Sequence, residues 1–420
     1  RPGMSMGFWG SHFGRTQTWH RPARAFYGYW ARCQALLQRG KAIVPVLTVG
    51  LGNDLAISAS ETDTLPLSLF LREGSVRIDG EGRIALPSGR TYAVLRVPRT
   101  GGPRPSQTHA VAARTLELIR DGATVWGDFM PPPGAKGRVF AASKSLSEVL
   151  AAVGVRPAVE IAAKNLDALT AERYLLAGAR EADEARFFFL ANGHTNAVAF
   201  AATFDAGARV PEIWNPETGA MQEAPLWRVL PDGRTQVDLE MEPCDSLFTV
   251  FRCATQGRGG SSRPPQPFTV CREIVGPWRV RFEPDGGAPK GVFPWTELKP
   301  WNESPDPGIR HYSGTATYET RFSLAETDVR DREFQLDLGR VEVIAEVELN
   351  GIPLGTSWRP PYRLPATAAM RTGKNELRIR VTNTWKNRLL GDRNEPADLA
   401  YGDASSLPDW GWIPKAKPGR

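Results

Sequence analysis

No run of about 18 apolar residues occurs in the 420-residue chain, so no segment reads as a membrane-spanning helix. No dense Lys/Arg block accompanies the net charge of +6. The excess Arg is spread along the chain, which points to a solvated surface and away from nucleic acid. The four cysteines, Cys33, Cys244, Cys253 and Cys271, form no CxxC pair, which argues against a zinc site. Cys244 and Cys253 could oppose each other across a hairpin, but free thiols are the preferred reading. No GxGxxG or P-loop follows any candidate strand, so nucleotide binding has no support. No Asp-x-Asp-x-Asp calcium loop is present. The front carries neither a signal peptide nor an initiator Met; it opens Arg1-Pro2-Gly3-Met4, as a processed chain or a piece of a longer one would. Acidic residues are also missing early: the first is Asp54.

Turn formers and tryptophan are abundant instead, with Gly 41, Pro 35 and Trp 13. Such usage suits short strands joined by many turns. A hydrophobic fraction of 41% with 23% charged residues belongs to folded domains, and the length suggests about three of them.

Residues 1–20 form a Gly- and aromatic-rich loop. In the helical stretch that follows, Pro22 suits a first turn, Phe26, Trp30, Cys33 and Leu37 recur at helical spacing, and Gly40 is a C-terminal stop. "AIVPVLTVG", "YAVLRVP" (92–98) and "TVWGDF" (124–129) read as buried parallel strands. They alternate with helices over 108–123 and 145–155, the pattern of an open α/β layer. From about 172 the texture becomes β: "ARFFFLANG", "AVAFAATF", "PEIWNPETGAMQEAP", "LWRVLPDGRTQVDLEM" and "SLFTVFRC" have the spacing of an antiparallel sandwich. "ATQGRGGSSRPPQP" (254–267) reads as a linker.

A second β module follows. Ala316, Tyr318, Thr320, Phe322 and Leu324 share one face, as do Phe334, Leu336 and Leu338. Leu377, Ile379 and Val381 alternate with Arg378, Arg380 and Thr382. One face is buried and one wet. On that wet face Asp337, Glu342 and Glu346 need no metal to explain them. Asn350-Gly351 supplies the positive φ angles of a tight hairpin. Beyond it, Pro360-Pro361 reads as a rigid extended exit flanked by Trp358 and Tyr362. Their flat faces can pack under a neighbour or stack on a pyranose; packing is preferred.

"YSGTATYETRF", "LDLGRVEVIAEVELNGIPLGTSWRPPYRL" and "GKNELRIRVTNTWKNRLLGD" resemble the jelly-roll sugar-binding domain of family 2 glycoside hydrolases. They resemble more closely its version at the end of glycoside hydrolase family 106, the α-L-rhamnosidases. Residues 2–40 independently resemble the segment of that family that closes the catalytic barrel; "FFFLANG" and "PEIWNPETG" resemble its middle sandwich.

The resemblance implies a multidomain α/β plus all-β chain. Its parts would be the truncated tail of a (β/α)8 barrel (1–41), an open α/β layer of flavodoxin or amidotransferase type (42–165), a β-sandwich (172–254), a linker (255–271), a galactose-binding-like jelly roll (272–395) and a tail (396–420). It also implies a hydrolase of α-L-rhamnosides in plant or bacterial polysaccharides, periplasmic or secreted at full length. The partner is then carbohydrate, with neither nucleic acid nor membrane, and the missing barrel is an intramolecular partner.

Glycoside hydrolysis needs two carboxylates about 5 to 9.5 Å apart, at the C-terminal face of the barrel. None lies within residues 1–40. Where the family has an acidic residue after an aromatic pair, this chain has Trp19-His20-Arg21. The expectation is that the carboxylates lie upstream and that this chain alone is inactive, with no catalytic residue, no metal ligand and no cofactor of its own; a calcium ion would belong to the missing barrel. Trp9, His12, Arg15 and Trp19 are the expected substrate contacts, Trp by stacking and His and Arg by hydrogen bonds to hydroxyls. The alternative is a non-catalytic carbohydrate-binding or scaffold protein. A family 2 β-galactosidase or glucuronidase is disfavoured by order, because those enzymes carry the jelly roll before the barrel. His109, His194 and His311 are isolated and read as surface or capping residues.

Overall fold

The structure is a computed structural model that describes residues 12–50, 62–98, 105–183, 185–257, 259–261, 268–284 and 287–394. The chain divides into two compact units, 1–31 with 265–420, and 32–264. Helix α1 (Arg24–Leu37) begins in the first and ends in the second.

Within 32–264, Gly40 takes φ +63° just after α1, as a helix stop requires. Strand β1 (Lys41–Ala42) follows. Then β2 (Val46–Gly50), β3 (Thr62–Pro66), β4 (Val94–Arg96), α2 (Pro105–Asp121), β5 (Thr124–Trp126), β6 (Arg138–Phe140) and α3 (Leu146–Ala152) build an α/β layer. Its sheet has the order β3-β2-β4-β5-β6 and is parallel throughout. Leu47, Val49, Leu95, Val97 and Val125 face a core shared with Leu118 and Ile119 of α2. Val46, Val94 and Trp126 face the opposite core with Val149 and Leu150 of α3. Helix α3 opens with a reciprocal cap. The Ser145 side chain accepts from the Glu148 N–H, and the Glu148 carboxylate accepts from the Ser145 N–H at 2.8 Å. That contact, with the Ser145 hydroxyl and Lys144 behind it, holds the Glu148 pKa down at about 2.

The sandwich comprises β7 (Val159–Ala163), β8 (Leu175–Ala182), β9 (Ala185–Asn192), β10 (Val198–Phe204), β11 (Arg209–Trp214), β12 (Met221–Glu223), β13 (Leu226–Val229), β14 (Thr235–Met241), β15 (Ser246–Ala254) and β16 (Gly259–Ser261). Its sheets run β1-β8-β9-β15-β11-β12 and β7-β10-β14-β13-β16. Phe188, Phe204 and Phe251 meet between them, with ring centroids 4.8 to 5.6 Å apart. Each buried Phe contributes roughly 1.5–3 kcal/mol.

Two stretches differ from the sequence reading. Residues 159–163, read as part of the α/β layer, pair with β10 in the sandwich. Residues 259–261, read as linker, pair with β13. Glycine permits that pairing: a Cβ on Gly260 would sit 2.5 Å from Trp227 Nε1. None of the four cysteines is in a disulfide; Cys33 is buried and the others are exposed.

The other unit holds the jelly roll. Its strands are β17 (Trp278–Phe282), β18 (Phe293–Trp295), β19 (Thr315–Leu324), β20 (Gln335–Asp337), β21 (Ile344–Leu349), β22 (Ile352–Ser357), β23 (Arg363–Pro365) and β24 (Gly373–Thr382), followed by helix α4 (Lys386–Asn394). The main sheet runs β18-β17-β19-β24-β21-β22, and β20 pairs with β23. Ala316, Tyr318, Phe322 and Leu324 are buried in one cluster with Val280, Val347 and Leu377. Asn350 and Gly351 take φ +55° and +78° at the β21–β22 turn. Pro360–Pro361 is cis, within a bend over 359–361, so the expected extended exit is a corner. Among the described residues no sheet closes into a barrel; the stretch expected to be a barrel's tail is the loop 12–23 and helix α1.

Candidate functional site: an aromatic series beside the jelly roll

The segment 12–31 belongs to the jelly-roll unit. Two hydrogen bonds fasten it there. Thr18 Oγ1 donates to the Asn383 carbonyl, and Trp385 Nε1 donates to the Thr16 carbonyl at 2.7 Å. Asn383 is itself fixed. Its Nδ2 donates to the Tyr312 carbonyl and its Oδ1 accepts from the Gly314 N–H, both at 2.9 Å. The exit of β24 is therefore a rigid mount for the loop.

On that mount the rings form a series. Trp19 meets Phe13 edge-on at 5.5 Å, and Phe13 meets Trp30 at 6.5 Å. Trp30 meets Phe26 at 6.1 Å; Phe26 and Tyr29 each lie 5.2 Å from Trp358. Helix α1 supplies three of these rings because 26, 29 and 30 fall on one helical stripe. Phe13 is 54% exposed and Trp30 49%, while Trp358 is half-buried. Two buried nitrogens in this unit, His20 Nδ1 and Trp358 Nε1, have no hydrogen-bond partner.

Of the residues expected at a sugar site, Trp19 stands in this series. His12 and Arg15 are exposed on the same loop. Trp9 lies outside the described residues. Sequence reasoning did not select Phe13, Tyr29 or His20 for the site, and read Phe26 and Trp30 only as recurring at helical spacing. The signal for them was the spacing on α1 together with Trp358, whose partnership is not visible in local sequence.

An acid–base pair is a separate matter. In the sandwich, Glu212 and Glu223 stand directly opposite on β11 and β12. Both are committed. Glu212 accepts from Arg252 at 2.7 and 3.0 Å and from Trp214 Nε1 at 3.0 Å. Arg252 holds its pKa below the usual carboxylate range despite partial burial, so it stays ionised and is no proton donor. Glu223 accepts from Trp227 Nε1 at 3.2 Å. His194 Nδ1 accepts from the Asn196 N–H, a local turn. Among the described residues no group of three or more His, Cys, Asp and Glu could hold a metal ion. No helix there is long and apolar enough to cross a membrane.

An aromatic-rich loop mounted on a jelly roll in one unit, and an α/β layer with a sandwich in the other, define a multidomain chain of mixed α/β and all-β architecture. Comparison with known proteins gives the family. The alpha-L-rhamnosidase profile of glycoside hydrolase family 106 matches residues 1–130 and 98–227, overlapping stretches that together exceed half of the chain. The glycosyl hydrolase 2 galactose-binding domain-like profile matches residues 308–416. This chain belongs to glycoside hydrolase family 106. A solved rhamnosidase from Novosphingobium sp. PP1Y superposes with a TM-score of 0.77 at 29% identity, over 95% of this chain and 40% of that one. A Formosa agariphila protein provisionally named as a beta-glucuronidase is 41% identical over 149 residues, 35% of this chain and 12% of that protein. The chain thus spans less than half the length of either relative.

Proposed function

We propose that this chain is part of a glycoside hydrolase acting on α-L-rhamnosides of plant or bacterial polysaccharides. It carries the accessory domains and one edge of the sugar site, with Trp9, His12, Arg15 and Trp19 as substrate contacts. Phe13 and Trp30 join them as stacking faces. The observation that carries this reading is the ring series from Trp19 to Trp358, whose exposed members Phe13 and Trp30 offer apolar faces to a pyranose. Family membership and the likeness to a solved rhamnosidase support the substrate class.

The acid and base are assigned outside this sequence, to a catalytic barrel that this chain adjoins. The family's chemistry uses paired carboxylates, residues 1–53 contain no Asp or Glu, and Glu212 is held as a fixed anion. No cofactor is assigned to this chain; a calcium ion would belong to the barrel. The full-length protein is placed in the periplasm or outside the cell, where polysaccharide substrates lie.

The test is hydrolysis of an aryl α-L-rhamnoside by the 420-residue chain, with rhamnose binding measured in parallel. Background release with binding that weakens in Trp19→Ala and Trp30→Ala is expected. Turnover well above background, abolished by changing one Asp or Glu of this chain, refutes the assignment of the acid and base. The second reading, a non-catalytic carbohydrate-binding or scaffold protein, is favoured by the commitment of Glu212 and Glu223. Extending the reading frame upstream of Arg1 separates the two, since a barrel with paired carboxylates supports the enzyme.

A further inference from the structure

Charge in the jelly-roll unit is unevenly placed. Residues 265–383 contain sixteen Lys and Arg against sixteen Asp and Glu, so the body of the unit is neutral. Residues 12–31 contain Arg15, Arg21 and Arg24 and no acid. Residues 384–394 contain Lys386, Arg388 and Arg393 against Asp392 alone, and Arg388 bonds that carboxylate at 2.8 Å. Arginine is scattered along the whole chain, but within 12–394 of this unit its excess over acid belongs to these two segments.

The fold brings the two segments together. Trp385, just ahead of α4, donates to the Thr16 carbonyl, and Thr18 donates to the Asn383 carbonyl. Both bonds lie at the end of the β19–β24 pair where Thr315 meets Thr382. Arg15, Arg21 and Arg24 are exposed on the first segment, and Lys386 and Arg393 on the second. Exposed apolar groups stand among them, Phe13 and Trp30 on the first, Leu389 and Leu390 on the second. Like charges gathered in one place repel each other and raise the local potential. The sheet face of the same unit avoids that cost by setting Arg378 and Arg380 against glutamates.

We propose that this end of the unit binds an acidic polysaccharide, with uronate carboxylates on its cations and pyranose faces on its rings. The inference rests on the carbohydrate reading above and adds the charge of the glycan. A neutral rhamnoside gives the rings a partner but leaves the gathered cations without one. Four of the five exposed cations are Arg, whose planar fork matches the two oxygens of a carboxylate. The rings call for the apolar face of a sugar, so the carboxylate is carried on a pyranose and not on a free small acid.

The experiment titrates the full chain with polygalacturonate, with the same polymer fully methyl-esterified, and with free rhamnose. Polygalacturonate should bind on the order of tenfold more tightly than its ester and weaken as salt rises. Lys386→Gln combined with Arg393→Gln should weaken polygalacturonate roughly three- to tenfold and leave rhamnose binding unchanged. Arg330→Gln combined with Arg332→Gln removes the same charge from exposed positions beyond Leu324, at the opposite end of the β19–β24 pair, and should change neither. The proposal is overturned if the ester binds as tightly, if the α4 pair has no effect, or if the distal pair weakens binding equally. Binding of dextran sulfate without binding of polygalacturonate overturns the choice of carboxylate. Polygalacturonate bound in preference to its ester, with no binding of rhamnose, refutes the rhamnoside reading and upholds the acidic-glycan surface. Rhamnose bound, with polygalacturonate no tighter than its ester, does the reverse.

Discussion

Replacing Trp358 by alanine should lower the melting temperature of the jelly-roll unit by several degrees. Its ring lies 5.2 Å from both Phe26 and Tyr29, and the side chain is half-buried. Full truncation of a buried Trp or Phe costs about 3–5 kcal/mol, and half-burial brings the expectation to about 2 kcal/mol. The two ring contacts account for much of it, at roughly 0.5–1.5 kcal/mol each. No hydrogen bond is lost, since Nε1 has no partner. For a unit of this size the shift is about 4–8 °C. Trp358→Phe keeps a ring against α1 and should recover more than half of it. A cycle with Phe26→Leu should show coupling of about 0.5–1.5 kcal/mol. Thermal scans by near-ultraviolet circular dichroism, with sugar titration on the same variants, decide the matter. A shift below about 1 °C, or a Phe variant as damaged as the Ala variant, refutes the packing argument. A drop in rhamnose affinity without a change in Tm makes Trp358 a stacking platform instead.

Two further expectations concern the frame. Glu148 has its pKa lowered from 4.5 to about 2 by the Ser145 cap, so its contribution is complete above pH 4.5 and is lost as pH falls from there toward 2. The Tm gap between the parent and Glu148→Gln should therefore be constant above that window and close through it; a gap independent of pH refutes the cap. Asn350 holds φ +55°, donates to the Ala369 carbonyl and Asn375 Oδ1, and accepts from the Glu376 N–H. Asn350→Ala should cost about 3 kcal/mol in denaturant unfolding, and Asn350→Gly measurably less, because glycine keeps the positive φ; equal losses would show that backbone conformation contributes nothing there.

The jelly roll was legible because one-faced strands announce themselves. In β19 the residues at 316, 318, 320, 322 and 324 are buried while Arg321 and Ser323 are wet, as their alternation requires. The Asn350-Gly351 turn was legible for the same local reason. Gly259–Ser261 was not, since glycine has no side chain to alternate and its reason to pair is a tryptophan on another strand. The corner at Pro360–Pro361 was not either, because two prolines fix φ but leave the peptide isomer to tertiary context. The ring series was legible only in part. Trp19 was singled out for its loop, but the bond from Thr18 to the Asn383 carbonyl joins residues 365 positions apart, and no local pattern encodes such a pairing.

The two sides of the jelly roll differ in what they offer a sugar. On the wet face of the main sheet, Arg279, Glu319, Arg378 and Glu348 are successive register partners across β17, β19, β24 and β21. Arg378 bonds Glu319 at 3.1 Å and Glu348 at 3.3 Å; Arg380 bonds Glu283 and Glu346, both at 3.0 Å. Alternating charges directly opposite one another satisfy the sheet's own cross-strand requirement. They also occupy the groups a sugar hydroxyl would need, and they present no flat apolar surface for a pyranose. Exposed pairs of this kind are worth little each, about 0–1 kcal/mol, so the face is a solvated one and not a built site. The loop 12–23 and α1 have the complementary character, with half-exposed rings, an exposed His and Arg, and a buried imidazole nitrogen without a partner. Under the proposed carbohydrate reading, a sheet face closed by its own ion pairs is the poorer candidate, and the aromatic segment mounted at Asn383 is the better one.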